Sequence, residues 1–114
     1  MQDSLPLPGS GSSPFQGLHS VVIWFDYGLD DDASFYSLSL ELATLLENSK
    51  IGIYDGHEMA MDNSDGSYYM YGPNAEMLFK AVLPTLKKYN FMEGARAVLR
   101  FGDGEESGRI EVEV

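Results

Sequence analysis

The chain has 114 residues, room for one domain, and its eighteen Asp and Glu against seven Lys and Arg give a net charge of −11. That balance argues against a general nucleic-acid binder, which needs Lys and Arg to displace phosphate counterions, and against docking on anionic lipid. Apolar residues at 44% are too many for a disordered chain, and with no cysteine the domain must stand on its apolar core, without disulfides, thiolate nucleophiles or Cys-ligated metal.

No stretch approaches the ~18 apolar residues of a membrane span, and the N-terminus lacks the charged and apolar regions of a signal peptide, so a cytoplasmic setting is expected. Residues 1–17 read as a flexible arm: Pro6, Pro8 and Pro14 stand among Ser and Gly with no apolar periodicity. The domain is expected over residues 18–114. His19 to Phe25 is β-branched and aromatic, and Val21 to Phe25 is apolar on both alternating faces, the pattern of a central strand. A turn over Asp26 to Asp30 follows, and one of Asp30, Asp31 or Asp32 is expected to cap a helix whose apolar stripe is Phe35, Leu38, Leu42, Leu45 and Leu46.

Ile51 to Met61 then reads as a strand, Asn63-Ser64-Asp65-Gly66 as a hairpin turn, and Ser67 to Tyr71 as the return strand. Asn74 is a candidate N-cap for a second helix carrying Leu78, Val82 and Leu86, with a kink or early end at Pro84. Ala95 to Phe101 and Ile110 to Val114 alternate as two final strands joined across Gly102 to Gly108. The order β-α-β-β-α-β-β predicts an α+β fold: a ferredoxin-like βαββαβ antiparallel sheet with an added C-terminal strand and both helices on one face. Strands 1 and 3 should then be central, and the added strand should lie beside strand 4.

One sheet face would receive no helix, yet strand 1 and the Tyr68-Tyr69-Met70-Tyr71 run carry large side chains on both phases. Exposed apolar patches of that kind mark interfaces. Trp24, Tyr68, Tyr69 and Tyr71, with Asp30 and Asp31 in the acidic loop, are therefore the expected binding residues, and a homodimer through the open face is the simplest cover. Acidity is also polarised. Residues 26–76 hold eleven acids and one base, whereas residues 77–100 hold five bases and one acid, so the acidic half could steer a cationic protein partner.

The densest chemistry is Tyr54-Asp55-Gly56-His57-Glu58. A His beside a carboxylate is the usual unit of general-base catalysis. In a strand Asp55 and His57 share a face, while Glu58 joins them only if Gly56 marks a bulge. His57 and Asp55, with Asp26 brought in from the first strand's end, are the candidate catalytic residues, and His57 is the histidine expected inside the structured chain. The set is short of a metal site, and nucleotide-binding glycine motifs and a nucleophile elbow are absent, so no cofactor is expected. Arg96, Arg100 and Arg109 share a phase with Glu111 and Glu113, which predicts cross-strand ion pairs in preference to an anion-binding stripe.

The run YDGHEMAMDNSDGSYYMYGPNAEMLFKAVLPTL, continued by ARAVLRFGDGEE, resembles an uncharacterised group of small bacterial proteins. Their core runs YDG-x-E, then DG-x-x-Y-x-YGP, then a helix. The resemblance covers residues 18–114, implies a bacterial cytoplasmic protein of ferredoxin-like fold, and carries no activity. Three functions follow as expectations: a dimeric binding or regulatory module, an immunity-type acidic inhibitor of a cationic toxin or nuclease, and a small acid/base or metal-dependent enzyme centred on His57.

Overall fold

A computed structural model describes residues 18–102 and 108–114; the expected arm (1–17) and most of the last hairpin loop (103–107) lie outside the described residues. Five antiparallel strands and two helices make up an α+β fold: β1 (His19–Asp26), α1 (Ala33–Ser49), β2 (Ile53–Met59), β3 (Asp65–Gly72), α2 (Ala75–Leu86), β4 (Arg96–Arg100) and β5 (Arg109–Glu113). The strand order is β2-β3-β1-β4-β5, with β1 between β3 and β4 and with β5 outside β4. Among the described residues no helix is long and apolar enough to cross a membrane.

Alternation along β1 decides which side is the core. Val21, Ile23 and Phe25 point to the helices and are buried; Tyr68 and Met70 on β3 and Ala97 and Leu99 on β4 join them on the same side. Phe35, Leu38, Leu42 and Leu46 from α1 close the core, as do Leu78, Val82 and Leu86 from α2. A side chain of this size contributes roughly 1.5–3 kcal/mol when it is fully buried. The opposite phase, from Ser20 through Val22 and Trp24 to Asp26, faces away from both helices.

Local chemistry sets the element ends. Asn74 accepts the backbone N–H of Met77 through its side chain, as expected of an N-cap. His19 Nδ1 accepts a second helix N–H, that of Ala75, at 3.0 Å, so this histidine is also structural. At α1 the residue before the helix is Asp32, but the side chain that accepts is one step earlier: Asp31 Oδ1 takes the Ala33 N–H at 2.9 Å. Pro84 falls in the last turn of α2, which closes at Leu86.

The β2–β3 hairpin departs from its expected turn. Ala60 to Ser64 makes the loop, Asn63 supplies the left-handed residue at φ 60°, and Asp65 and Gly66 are already paired in β3. Asp-Gly is a turn signal in sequence, but Gly66 is required here by packing. A Cβ on it would lie 2.7 Å from the Glu58 carbonyl oxygen and 2.8 Å from the Phe25 ring.

Gly66→Ala is therefore expected to destabilise the fold by about 1–3 kcal/mol, the usual range for overpacking, read as a lower urea midpoint. Gly108→Ala is the control, because its methyl would meet only Phe101 at an ordinary 3.6 Å. A near-neutral Gly66→Ala would contradict this packing.

Candidate functional site

The candidate residues divide between the two faces of the sheet, and a bulge in β2 is the reason. Tyr54 pairs with Met70 and Gly56 with Tyr69, leaving Asp55 as the extra residue. Gly56 takes φ 145°, which an L side chain rarely adopts. The slip puts Tyr54 and His57 together on the helix side, while Gly56 and Glu58 face the open side. The expected sharing of a face by Asp55 and His57 through simple alternation is thus replaced by a Tyr54–His57 pair.

His57 stands on this outer strand against aromatic rings. Tyr54 Oη lies 2.6 Å from His57 Nδ1, and Phe35 and Tyr36 meet the imidazole edge-on at 4.9 and 5.6 Å. Asp26 is at the end of β1 on the opposite face, across from Asp65. His57 and Asp26 therefore do not converge. Among the described residues no carboxylate pairs with His57, and no group of three or more His, Asp and Glu gathers as a metal ion would require.

Tyr68 is corrected by the same geometry. Expected among the interface residues, it is fully buried on the helix side, between Phe25 at 5.0 Å and Phe35 at 5.1 Å. Its hydroxyl donates to the Phe35 carbonyl at 2.7 Å. Tyr69 and Tyr71, one residue to either side of Met70, take the open phase. Asp30 and Asp31 lie in the exposed β1–α1 loop, where Asp31 serves the helix end and its carbonyl accepts the Tyr27 hydroxyl.

The open face forms four cross-strand rows. Asp65 and Asp26 make the first, and Glu58, Ser67, Trp24, Arg96 and Glu113 the second. Gly56, Tyr69, Val22, Val98 and Glu111 make the third, and Ile53, Tyr71, Ser20, Arg100 and Arg109 the fourth. Trp24 is 49% exposed and Ile53 50%; Trp24 meets Tyr69 edge-on at 6.4 Å, and Tyr69 donates to Glu58 at 2.8 Å. Two shallow hollows flank the indole, one of about 240 Å³ reaching Asp26, Asp65 and Arg96, the other of about 420 Å³ reaching Glu58 and Ser67. Between β4 and β5 one expected cross-strand ion pair forms, Arg96 to Glu111 at 3.1 Å; Arg109 reaches the same carboxylate at 3.2 Å from two residues away on its own strand.

A polar cluster that sequence reasoning missed ties α1 to the segment that follows α2. Glu41 on α1 accepts from Lys88 and from the Tyr89 hydroxyl, which also lies 2.8 Å from Ser37 Oγ. Lys88 and Tyr89 hold the Glu41 carboxyl below its ordinary range. The partners are 47 and 48 residues apart in sequence, so no local spacing announced them.

Compared with protein-family models, curated proteins and solved structures, the chain matches none.

Burial pushes the Tyr54 phenol up to about 12, against a weaker opposing hydrogen bond from Ser39, and burial also raises that of Tyr68. Both favour the neutral phenol in the folded chain. Their contribution is complete below the ordinary tyrosine value near 10 and is lost as pH rises through the folded values. Stability should fall above about pH 10, and Tyr54→Phe should flatten the fall between pH 10 and 12, as followed by circular dichroism. An identical alkaline profile in the variant would rule Tyr54 out as a contributor.

Proposed function

We propose that the chain is a small acidic binding or regulatory module of ferredoxin-like architecture, with β5 added beside β4, and that it works as a homodimer through its open sheet face. The central placement of β3 and β1 supports the architecture. One observation carries the function: the only tryptophan of the chain stands half-exposed on the central strand of the helix-free face, in edge-on contact with Tyr69 and with Val22 and Val98 in the adjoining row. Aromatic anchors inside a charged rim are the anatomy of a protein interface, and tryptophan is the residue most enriched at its hot spots.

The dimensions support the same reading. Five strands spaced ~4.8 Å and four rows spaced ~6.8 Å make a face of roughly 24 by 27 Å. Two such faces bury about 1,300 Å², at the lower end of the range for specific interfaces. The signs of its charges favour a second copy over a cationic partner. A cationic protein would select a uniformly acidic face, whereas this one also carries Arg96, Arg100 and Arg109.

Sedimentation equilibrium should give twice the 12.6 kDa chain mass, and dilution should red-shift Trp24 emission as the indole is released to water. Trp24→Glu should keep the circular dichroism spectrum and weaken association at least about 30-fold, the equivalent of a ~2 kcal/mol hot spot. A wild-type chain that stays monomeric at hundreds of micromolar, or a Trp24→Glu variant that dimerises unchanged, would overturn the reading.

A further inference from the structure

The open face sets like charges across neighbouring strands at two places. Asp26 stands directly across from Asp65 at one end, and Arg100 directly across from Arg109 at the other. Like charges opposite one another on antiparallel strands destabilise a sheet. With Glu58 added, the β2–β3–β1 end carries three acids and no base. Among the described residues the β4–β5 side carries three arginines against Glu111 and Glu113, with Arg109 held by Glu111 on its own strand; Asp103, Glu105 and Glu106 of the connecting loop lie outside the described residues.

These two corners are diagonal. On the ordinary spacings of strands and rows their centres lie about 20 Å apart, and the midpoint falls between Trp24 and Val22 on the central strand. A two-fold axis lying in the plane of the interface, through that midpoint and perpendicular to the diagonal, turns each corner onto its opposite. The acidic corner of one copy then covers the basic corner of the other, twice by symmetry. The same axis brings the two Trp24 side chains together beside the hollows that flank them.

We propose that the homodimer forms in this single register, with Asp26, Asp65 and Glu58 of one copy seated over Arg100 and Arg109 of the other. The inference rests on the face-to-face dimer reading above and adds the identity of the contacts. A closed two-fold contact must be self-complementary, and a diagonal of opposite signs on either side of Trp24 and Val22 meets that at the two corners. Alignments that set like corners together place Asp on Asp and Arg on Arg, so the same residues reject the other registers.

The test exchanges the corners. Asp26→Lys/Asp65→Lys makes both corners basic, and Arg100→Glu/Arg109→Glu makes both acidic. Each variant alone should dimerise at least tenfold more weakly than wild type in low salt, and 1 M salt should narrow the gap. Mixed together, the two variants are complementary at both corners. Native mass spectrometry should show a heterodimer with an affinity within a few-fold of wild type, a rescue that unfolded variants would not produce. If wild type and both variants dimerise alike while Trp24→Glu does not, or if the mixture yields no heterodimer, this register is overturned and the face-to-face reading stands. If wild type is monomeric, both fall; a shielded Trp24 in that monomer would mean that the chain's own residues 1–17 cover the face.

Discussion

The anchoring of Tyr68 is the interaction on which the other placements depend. Its ring lies between Phe25 of the central strand and Phe35 of the first helix, and its hydroxyl donates to the Phe35 carbonyl. One side chain thereby packs sheet against helix, alongside the direct Phe25–Phe35 contact at 5.9 Å, and gives a backbone carbonyl in the first turn of α1 an additional donor. It also sets the phase of β3. With Tyr68 inward, Tyr69 and Tyr71 must face outward, because adjacent residues of a strand point to opposite faces. The aromatic character of the open face is the counterpart of the way the core is tied together.

Much of the fold was legible in the residues. The apolar stripe of α1, the Asn74 cap and the two-sided apolar run of β1 each express local periodicity or local hydrogen-bonding chemistry, and the structure realises them where they stand. Four consecutive large residues on β3 could not be assigned to faces in the same way, since either phase of Tyr68-Tyr69-Met70-Tyr71 offers an apolar surface. The register with β1 decides, and it is a long-range fact. Asp65-Gly66 misled for a related reason. The pair has turn chemistry, but the missing side chain of Gly66 makes room for the Phe25 ring, which belongs to another strand.

The site residues follow the same division. The Tyr54–Glu58 segment concentrates titratable groups, and strand alternation places them correctly only until the bulge at Asp55 changes the phase. His57 then meets rings from α1, and Glu58 meets the Tyr69 hydroxyl on the other face. Two groups adjacent in sequence end on opposite sides of the sheet. His19 shows the converse, acting 56 residues away at the start of α2. In contrast, the Arg96–Glu111 pair was legible, because ion pairing between neighbouring strands needs only the correct phase.

The β2 bulge also bears on how copies of this protein can stack. A flat, uninterrupted outer strand offers unpaired N–H and C=O groups to any other chain and invites open-ended fibres. Here β2 breaks its hydrogen-bonding repeat at Asp55 and Gly56, and at the other border β5 has only five residues, three of them Arg109, Glu111 and Glu113. Both borders are poor templates for strand addition. Growth by lateral extension of the sheet is discouraged at each side, and association across a face related by a two-fold axis ends at two copies.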